Sequence, residues 1–491
     1  MTRLSSSSRL PASIARPAYD RDRPGSGIVH LGAGAFHKAH QAVATDDALA
    51  ASGGDWMITG VSLRSGDVAA QMNPQDGLYT LLVRGADGVA PRVIGSIRKV
   101  LVAPREPDAV MAALTAPETR IVSLTITEKG YGVDPKTGGL DPAHGSIAPD
   151  LASPCAPSGA VGYIVEALRL RRDRGLAPFT VLSCDNLPDN GRVLQRLVTG
   201  FAGRLDPALA AFISDQVAFP STMVDRITPA STPETYAEAA RLTGYEDLAA
   251  VETEPFTQWV VEDRFVAGRP DWEAGGVIFA ADVAPYEKMK LRMLNGAHSM
   301  LAYAGFIAGH KYVREAMDDQ ALAILVTRQM RSAAATLGPV PGVDLGRYAA
   351  DLVVRFANPA IAHQTYQIAM DGTQKLPQRL IEPAIATLRN GGSPDAYGFA
   401  VAAWMRYCLG MDDAGRTFAL RDPREAEIAA LLDGAGRDAG AIVDRLLALP
   451  GLFPEDLSGA PAWRKAVKAG LETMLADGMR AAIDREAGRA G

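Results

Sequence analysis

Apolar runs and helical stretches alternate over the first two-thirds of the chain. Four short apolar runs predict β-strands, at residues 27–31, 56–63, 121–127 and 179–186. Between them, residues 41–51 are rich in alanine and residues 161–174 are apolar at helical spacing, so both predict helices. Strands that alternate with helices predict a mostly parallel, doubly wound α/β sheet.

The pattern changes in two places. Residues 79–102 read YTLLVRGADG followed by PRVIGSIRKVLV, which predicts a hairpin with a DG turn inserted among the parallel strands. After about Pro285, methionine, leucine and alanine recur at helical spacing between loops such as LGPVPGVD. We therefore predict an α/β domain at residues 1–285, in which residues 1–26 form a loose arm, and a mainly α-helical domain at residues 286–491.

Composition and charge narrow the class of protein. Of the 491 residues, 47% are hydrophobic and 22% are charged, which is typical of a globular chain and excludes a disordered one. The 50 basic and 56 acidic residues leave a net charge of −6, which argues against nucleic acid as a partner. Three scattered cysteines are too few for a disulfide framework and favour a reducing compartment.

The sequence also bears on location. No run approaches the roughly 18 apolar residues that a membrane-spanning helix needs. The N-terminus lacks the apolar core of a secretory signal. We therefore expect a cytoplasmic enzyme that handles small molecules and has no membrane partner.

A glycine-rich turn follows the first predicted strand. In HLGAGAFHKAH, Gly32 permits a tight turn and Gly34 permits close approach of a pyrophosphate, although His37 replaces the third glycine of the usual dinucleotide fingerprint. Such turns also occur for purely structural reasons. The second strand leads to Asp67, whose carboxylate would accept ribose hydroxyls and favour NAD over NADP. Asp67 is otherwise an ordinary turn residue, and Arg64 would instead attract a 2′-phosphate.

The segment KLRMLNGAH suggests a catalytic constellation. On a regular α-helix, His298 lies about 80° and Asn295 about 140° around from Lys290, so that all three can face one cleft. Neighbouring methionines would desolvate the Lys290 ammonium and lower its pKa, as suits a general base. The alternative is a helix face with a surface lysine, a capping asparagine and a packed histidine.

Asn186 ends the apolar run FTVLSCDN, and ligands of an open α/β sheet bind outside the carboxyl ends of its strands. It could stabilise an oxyanion or simply form the turn. The histidines show no cluster with metal-ligand spacing, so we expect no metal. There is also no phosphate-binding P-loop and no GxSxG elbow.

Seven ordered motifs resemble the long-chain polyol-specific secondary-alcohol dehydrogenases, which include the mannitol 2-dehydrogenases and the mannonate oxidoreductases (fructuronate reductases). The resemblance runs from about residue 27 to beyond residue 450. Its motifs are HLGAGAFHKAHQAVATDDAL, IVSLTITEKGY, FTVLSCDNLPDNG, TMVDRITP, EPFTQWVVEDRFVAGRPDWE, MKLRMLNGAHSMLAYAG and QIAMDGTQKLPQR.

The resemblance implies an expanded Rossmann-type, NAD-binding domain at residues 1–285 and a helical substrate domain at residues 286–491. It implies metal-independent hydride transfer, with Lys290 as the base, Asn186 and Asn295 as oxyanion-binding groups and His298 orienting the substrate. The cofactor residues that it implies are Gly32, Gly34, Ala35, Phe36, His37 and Asp67. Asp225 and Lys375 are implied to contact the substrate and Glu287 to gate proton exit.

The substrate is less clear from the sequence. KLRMLNG and QIAMDGTQKLPQR resemble the mannonate oxidoreductases, whose substrate carboxylate needs a cation. Candidates are Arg292, Arg379 and Lys375, each of which could equally form a structural ion pair. Mannonate-type members commonly have HRT where this chain reads His363-Gln364-Thr365, which leaves mannitol, arabinitol or sorbitol open.

We favour D-mannonate and D-fructuronate, with D-mannitol and D-fructose as the alternative. A non-catalytic sugar-acid sensor and a Rossmann-type methyltransferase are more remote hypotheses. The family is often monomeric, and we expect a monomer here.

Overall fold

The structure is a computed structural model that describes residues 1–127, 130–134 and 136–489. Glu128 and Lys129 of the motif IVSLTITEKGY therefore lie outside the described residues, as do Ala490 and Gly491 at the end of the predicted helical domain. The chain divides into two compact units, Met1–Ala284 and Pro285–Gly491. Each unit is described by itself below.

The first unit contains the β-strands. They are β1 (Ile28–Leu31), β2 (Ile58–Ser62), β3 (Tyr79–Gly85), β4 (Gly88–Ile94), β5 (Ile97–Val102), β6 (Ile121–Leu124), β7 (Thr180–Ser183), β8 (Thr222–Asp225), β9 (Val251–Thr253), β10 (Gln258–Glu262) and β11 (Ile278–Ala280). The main sheet is parallel, in the order β5-β2-β1-β6-β7. Smaller sheets, β4-β3-β9 and β11-β10-β8, contain both parallel and antiparallel pairs.

Helices cover both faces of the main sheet. Those of the first unit are α1 (Ala35–Ala39), α2 (Gln41–Ser52), α3 (Asp67–Met72), α4 (Pro107–Thr115), α5 (Ala148–Ala152), α6 (Ala160–Asp173), α7 (Asn190–Leu205), α8 (Pro207–Gln216) and α9 (Pro233–Thr243). Along β1, Val29 and Leu31 share a buried cluster with residues of α4, α6 and α7, whereas Ile28 belongs to a second cluster with residues of α2. This alternation, inherent to a strand, builds the doubly wound core.

The second unit is helical. Its helices are α10 (Ala284–Met289), α11 (Gly296–Ile307), α12 (Val313–Asp318), α13 (Gln320–Ala334), α14 (Leu345–Phe356), α15 (Thr365–Ala369), α16 (Gly372–Leu376), α17 (Glu382–Arg389), α18 (Asp395–Tyr407), α19 (Glu425–Leu432), α20 (Ala439–Leu447), α21 (Glu455–Ser458), α22 (Pro461–Asp477) and α23 (Met479–Ala487). Residues Lys290–Asn295 and Pro377–Ile381 are π-helical. Helix α11 is buried on nearly every side and packs against α13, α15 and α18.

These observations confirm the predicted class, a doubly wound α/β domain followed by a helical domain. The predicted hairpin is confirmed for β3 and β4, whose two-residue turn is Ala86-Asp87. The prediction was wrong beyond Ile94, because β5 pairs in parallel with β2 and thus belongs to the main sheet.

The sequence had suggested a loose N-terminal arm, but the arm packs against the rest of the first unit. Leu4 and Ile14 are buried and share an apolar cluster with Leu78 and Val93. The arm also pairs with the rest of the first unit through isolated bridges at Arg3 and Ala15. Burial of these two apolar side chains, which a sequence-local view cannot foresee, holds the arm in place.

Candidate active site

The predicted nucleotide turn leaves β1 in a conformation that requires glycine. Gly32 has a φ of +94°, and a Cβ there would lie 2.2 Å from the carbonyl oxygen of Thr125. Gly34 is extended, and the nearest atom to a Cβ there would be the Gly32 oxygen at 3.7 Å. The first glycine is therefore required by the fold, whereas the second leaves open space beside the first turn of α1.

A buried cluster of polar side chains holds this turn in place through hydrogen bonds. The His30 ring is hydrogen-bonded to the hydroxyls of Ser123 and Thr125, both at 2.8 Å, and the Thr125 hydroxyl donates to the carbonyl oxygen of Gly32 at 2.9 Å. The ring of His37 stacks on His30 with centroids 3.5 Å apart. Burial lowers the pKa of His30 to about 3, so the ring is neutral at physiological pH.

The placement of His37 differs from that of an exposed cofactor ligand. Its side chain is 1% exposed, and neither ring nitrogen has a hydrogen-bond partner among the described residues. Phe36 stacks instead on His40, with centroids 4.9 Å apart. Helix α1 ends at Ala39, so the predicted helix after the turn is interrupted at His40 before α2 begins.

Asp67 is exposed at the start of α3. The sequence had suggested that the second strand ends near Asp67, but β2 ends at Ser62 and four residues separate the two. Asp67 therefore lies in the first turn of α3, on the segment that follows the carboxyl end of β2, and open α/β sheets bind nucleotides at the carboxyl ends of their strands.

Asn186 lies three residues beyond the end of β7. The neighbouring Asp185 carboxylate accepts hydrogen bonds from the backbone amides of Ile126 and Thr127, both at 2.9 Å, and from the Tyr131 hydroxyl at 2.7 Å. These bonds tie the loop after β6 to the end of β7 and so fix the backbone next to Asn186. Asn186 itself is exposed.

The turn after Asn186 is fixed by a second asparagine. Asn190 is completely buried, donates to the carbonyl oxygens of Asp185 and Thr222 at 3.0 Å, and accepts from the Thr222 amide at 2.9 Å. It joins the first turn of α7 to β8. Asp225, assigned to the substrate by resemblance, ends β8 and is 5% exposed.

Lys290, Asn295 and His298 lie on one continuous stretch of helix. Residues Lys290–Asn295 are π-helical and lead directly into α11, which carries His298. The angles expected for a regular α-helix are therefore wrong across this segment, because a π-helix bonds residues five apart. Lys290, Asn295 and His298 are 8%, 6% and 7% exposed, which argues against a surface lysine and a merely capping asparagine.

Two polar atoms of this stretch are buried and lack a hydrogen-bond partner among the described residues. They are Nδ2 of Asn295 and Nε2 of His298. Buried polar groups are nearly always satisfied, and an unsatisfied one costs about 1–3 kcal/mol. Their positions next to Lys290 indicate a place where a polar ligand completes the hydrogen bonding.

Basic and aromatic groups surround His298. Its ring lies 4.5 Å from that of Phe356 and 5.3 Å from that of His363, measured between centroids. Burial holds the pKa of His298 well below its usual value, and the nearby basic side chains of His363, Arg379, Arg355 and Lys290 lower that pKa further. An uncharged imidazole in such surroundings can donate or accept a hydrogen bond at neutral pH.

Family models match both units of the chain. Residues 26–274 match the mannitol dehydrogenase Rossmann domain, and residues 282–475 match the mannitol dehydrogenase C-terminal domain. The chain belongs to the mannitol dehydrogenase family. It is therefore an oxidoreductase that acts on CH–OH groups.

Relatives in this family match almost the whole chain. D-mannonate oxidoreductase of Escherichia coli (strain K12) is 46% identical over 484 residues, which are 97% of this chain and 98% of that protein. The solved ternary complex of Pseudomonas fluorescens mannitol 2-dehydrogenase with NAD and D-mannitol is 38% identical, covers 99% of both chains and has a TM-score of 0.85. A D-sorbitol dehydrogenase in substrate-free form is 34% identical, covers 98% of this chain and 100% of that chain, and has a TM-score of 0.90.

In this mannitol dehydrogenase family member, the predicted carboxylate-binding cations fall into two groups. The Arg292 guanidinium donates to the carbonyl oxygen and the hydroxyl of Thr336, both at 3.0 Å. The Lys375 ammonium donates to the carbonyl oxygens of Met370 at 2.5 Å and Ile368 at 3.2 Å. Of the three, Arg379 lowers the pKa of His298, and Lys375 lowers the pKa of the neighbouring His363.

Glu287 was predicted from the sequence, whereas three other residues near the candidate site were not. Glu287 lies on α10, half-buried and three residues before Lys290. Sequence reasoning missed His30, which it could have noticed as a histidine inside the apolar run GIVHL. It also missed Arg355 and Phe356, which carry no local signal because they are far from His298 in sequence.

The described residues offer neither a metal-binding cluster nor a helix suited to cross a membrane. Among residues 1–127, 130–134 and 136–489, no group of three or more His, Cys, Asp or Glu side chains is placed to hold a metal ion. In the same residues, none of the helices is both long and apolar enough to span a membrane.

Proposed function

We propose that this family member is an NAD-dependent, metal-independent dehydrogenase that interconverts a secondary alcohol of a sugar acid or polyol and the matching keto sugar, with Lys290 as general base. The observation that carries the proposal is the buried helical stretch Lys290–His298, in which Asn295 Nδ2 and His298 Nε2 have no partner within the described structure. A buried amine beside unsatisfied polar groups suits proton transfer to and from a bound hydroxyl.

The first unit fits a dinucleotide. Open space at Gly34 lies beside the first turn of α1, where backbone amides have no acceptor within the helix. Asp67, exposed just after β2, is suited to the adenosine ribose hydroxyls and disfavours a 2′-phosphate. The Pseudomonas fluorescens relative was solved with NAD. We therefore propose NAD as the cofactor, held by Gly32, Gly34, Ala35, Phe36 and Asp67, with His37 supporting the turn from within.

Each catalytic group has a separate task in this proposal. Lys290 takes the proton of the substrate hydroxyl at Nζ. Asn295 and, by resemblance, Asn186 donate to the oxygen as negative charge develops on it, and His298 orients a neighbouring hydroxyl. The cofactor, when bound, accepts the hydride from the carbon of the alcohol. Glu287 is assigned by resemblance to proton exit from Lys290.

For the substrate we favour D-mannonate and D-fructuronate. The 46% identity to an Escherichia coli D-mannonate oxidoreductase supports this choice, as do the basic side chains of Arg355 and Arg379 near His298. The second candidate is D-mannitol and D-fructose, which the 38% identical Pseudomonas fluorescens enzyme supports. The cytoplasmic location, the monomeric state and the absence of nucleic-acid and membrane partners remain part of this proposal.

The test is the initial rate of NADH oxidation with D-fructuronate and with D-fructose, measured side by side. We expect both ketoses to be reduced at the same site and D-fructuronate to give the higher kcat/KM. A preference for D-fructose would establish the mannitol-type reaction instead. No oxidation of NADH with either ketose, or with L-sorbose or D-xylulose, would contradict the proposed dehydrogenase activity.

A further inference from the structure

The inner face of α14 carries a charged residue. Its buried residues Tyr348, Leu352, Arg355 and Phe356 follow the spacing of one helix face. Arg355 is 8% exposed, whereas Arg347, earlier on the same helix, is exposed. An arginine buried to this extent is rare.

Arg355 lies near the predicted catalytic stretch because the next residue, Phe356, contacts His298. The ring of Phe356 packs against that of His298, with centroids 4.5 Å apart. Arg355 is one of the positive groups that lower the pKa of His298, so the two side chains interact electrostatically. Helix α14 thus contributes both an apolar wall and a cation to the surroundings of His298.

A second arginine reaches the same place from a different element. Arg379 lies in the π-helical segment Pro377–Ile381, and its Nη1 atom donates to the hydroxyl of Ser299 at a long 3.4 Å. Ser299 follows His298 directly. Two arginines from separate elements, Arg355 and Arg379, therefore lie close enough to His298 to lower its pKa.

Unsatisfied polar atoms in this cluster indicate a ligand. Besides Nε2 of His298, the Nδ1 atom of His363 is buried and has no hydrogen-bond partner among the described residues. The two rings meet edge to face, 5.3 Å apart. Imidazole nitrogens bind hydroxyl groups and guanidinium groups bind carboxylates, so the cluster matches a hydroxylated acid.

We propose that Arg355, together with Arg379, binds the terminal carboxylate of the substrate and makes this enzyme select sugar acids over neutral polyols. The inference rests on the proposed function and extends it, since it names the specificity-determining residue. Sequence analysis had found no arginine after His363, and the residue there, Gln364, is exposed. A cation from α14 takes the place of the one that the His-Gln-Thr triplet lacks.

The planar guanidinium matters for this role. It can bind both oxygens of a carboxylate at once, whereas a lysine ammonium acts as a point charge. Substitution by methionine keeps the apolar stem and removes the fork, and substitution by lysine keeps the charge alone. The exposed Arg347 on the same helix offers a matched control, because its replacement by methionine removes one positive charge outside the cluster.

The experiment measures kcat/KM for D-fructuronate and D-fructose with NADH in Arg355→Met, Arg355→Lys, Arg379→Met and Arg347→Met. It also measures the Kd of D-mannonate and D-mannitol for the NADH-bound enzyme, a pairing that cannot react. We expect Arg355→Met to lower the preference for D-fructuronate over D-fructose about 100-fold, mainly through KM, as loss of a charge-assisted bond implies. Arg355→Lys should retain part of the preference for D-fructuronate over D-fructose. Arg379→Met should lower this preference, as Arg355→Met does, and Arg347→Met should leave it unchanged.

Several outcomes would overturn the inference. An equal loss of kcat/KM with both ketoses in Arg355→Met would show a purely structural ion pair, and an unchanged preference would place the carboxylate elsewhere. Should Arg355→Met fail to fold, Arg379→Met gives the same readout. The binding measurement distinguishes a failure of this inference from a failure of the proposed function. A wild-type enzyme that oxidises no NADH would contradict the proposed function. Equal Kd values for D-mannonate and D-mannitol would contradict the carboxylate site.

Discussion

Replacing Asn295 by alanine should separate catalysis from stability. The Nδ2 atom of Asn295 is buried and has no partner among the described residues, so its removal breaks no hydrogen bond of the folded chain. An unsatisfied donor costs the fold about 1–3 kcal/mol, which offsets much of the packing lost on truncation. In the reaction the same donor stabilises the oxygen that gains negative charge, and losing such a donor costs about 3–4 kcal/mol of barrier.

The expected result is a kcat lowered about 10²- to 10³-fold with little change in the free energy of unfolding. Asn190 provides the matched control, because it is equally buried but fully hydrogen-bonded to Asp185 and Thr222. Asn190→Ala should destabilise the protein by about 1–3 kcal/mol, since it leaves buried backbone groups unsatisfied.

The assays are steady-state NADH oxidation and unfolding in guanidinium chloride. Two results would refute the reasoning about Asn295. One is a kcat for Asn295→Ala within about threefold of the wild-type value, since an oxyanion donor is worth far more. The other is a loss of stability in Asn295→Ala as large as that in Asn190→Ala, which would show a hydrogen bond that matters to the fold.

Three further predictions follow from the geometry of the two units. Gly296→Ala would place a Cβ 2.9 Å from the carbonyl oxygen of Arg379, so the π-helical segment must shift. We expect kcat to fall and the free energy of unfolding to decrease by about 1–3 kcal/mol. The control Gly338→Ala, whose Cβ would meet nothing within 4 Å, should leave both quantities unchanged. For His30, a folded pKa of about 3 means that stability present above the unfolded pKa is lost as pH falls below it. The loss of unfolding free energy between pH 7 and pH 5 should therefore be about 2 kcal/mol smaller in His30→Gln than in the wild type, and an equal loss in both would contradict the depressed pKa. Asp67→Ser should raise the ratio of kcat/KM with NADP to that with NAD at least about tenfold, and an unchanged ratio would contradict the proposed ribose contact.

The arrangement of the first unit follows from local patterns. Apolar runs of five to eight residues separated by helical stretches predict buried parallel strands, and β1, β2, β6 and β7 lie within the predicted runs. The predicted ends were wrong by up to three residues. Strand ends depend on which backbone groups find partners on a neighbouring strand, which a run of apolar residues does not reveal.

The candidate site was predictable only in part. The spacing of Lys290, Asn295 and His298 pointed to a shared face, but the π-helical register between the first two could not be foreseen from it. Arg355 lies 57 residues from His298 and becomes its neighbour only because α14 packs there. Arg292 and Lys375 were equally plausible cations in the sequence, yet Arg292 bonds to Thr336, whereas Lys375 bonds to two backbone carbonyl groups and lowers the pKa of His363. Tertiary packing, not local pattern, decides which cation faces the histidine.

The account depends most on Lys290 as the general base. The direct measurement compares kcat and the Kd of NADH in wild-type enzyme and Lys290→Ala, with the preferred ketose and with methylamine added as a substitute base. The account predicts a loss of about 10²- to 10⁴-fold in kcat, an unchanged Kd for NADH, and partial recovery of the rate with methylamine. A near-normal kcat in Lys290→Ala would contradict it.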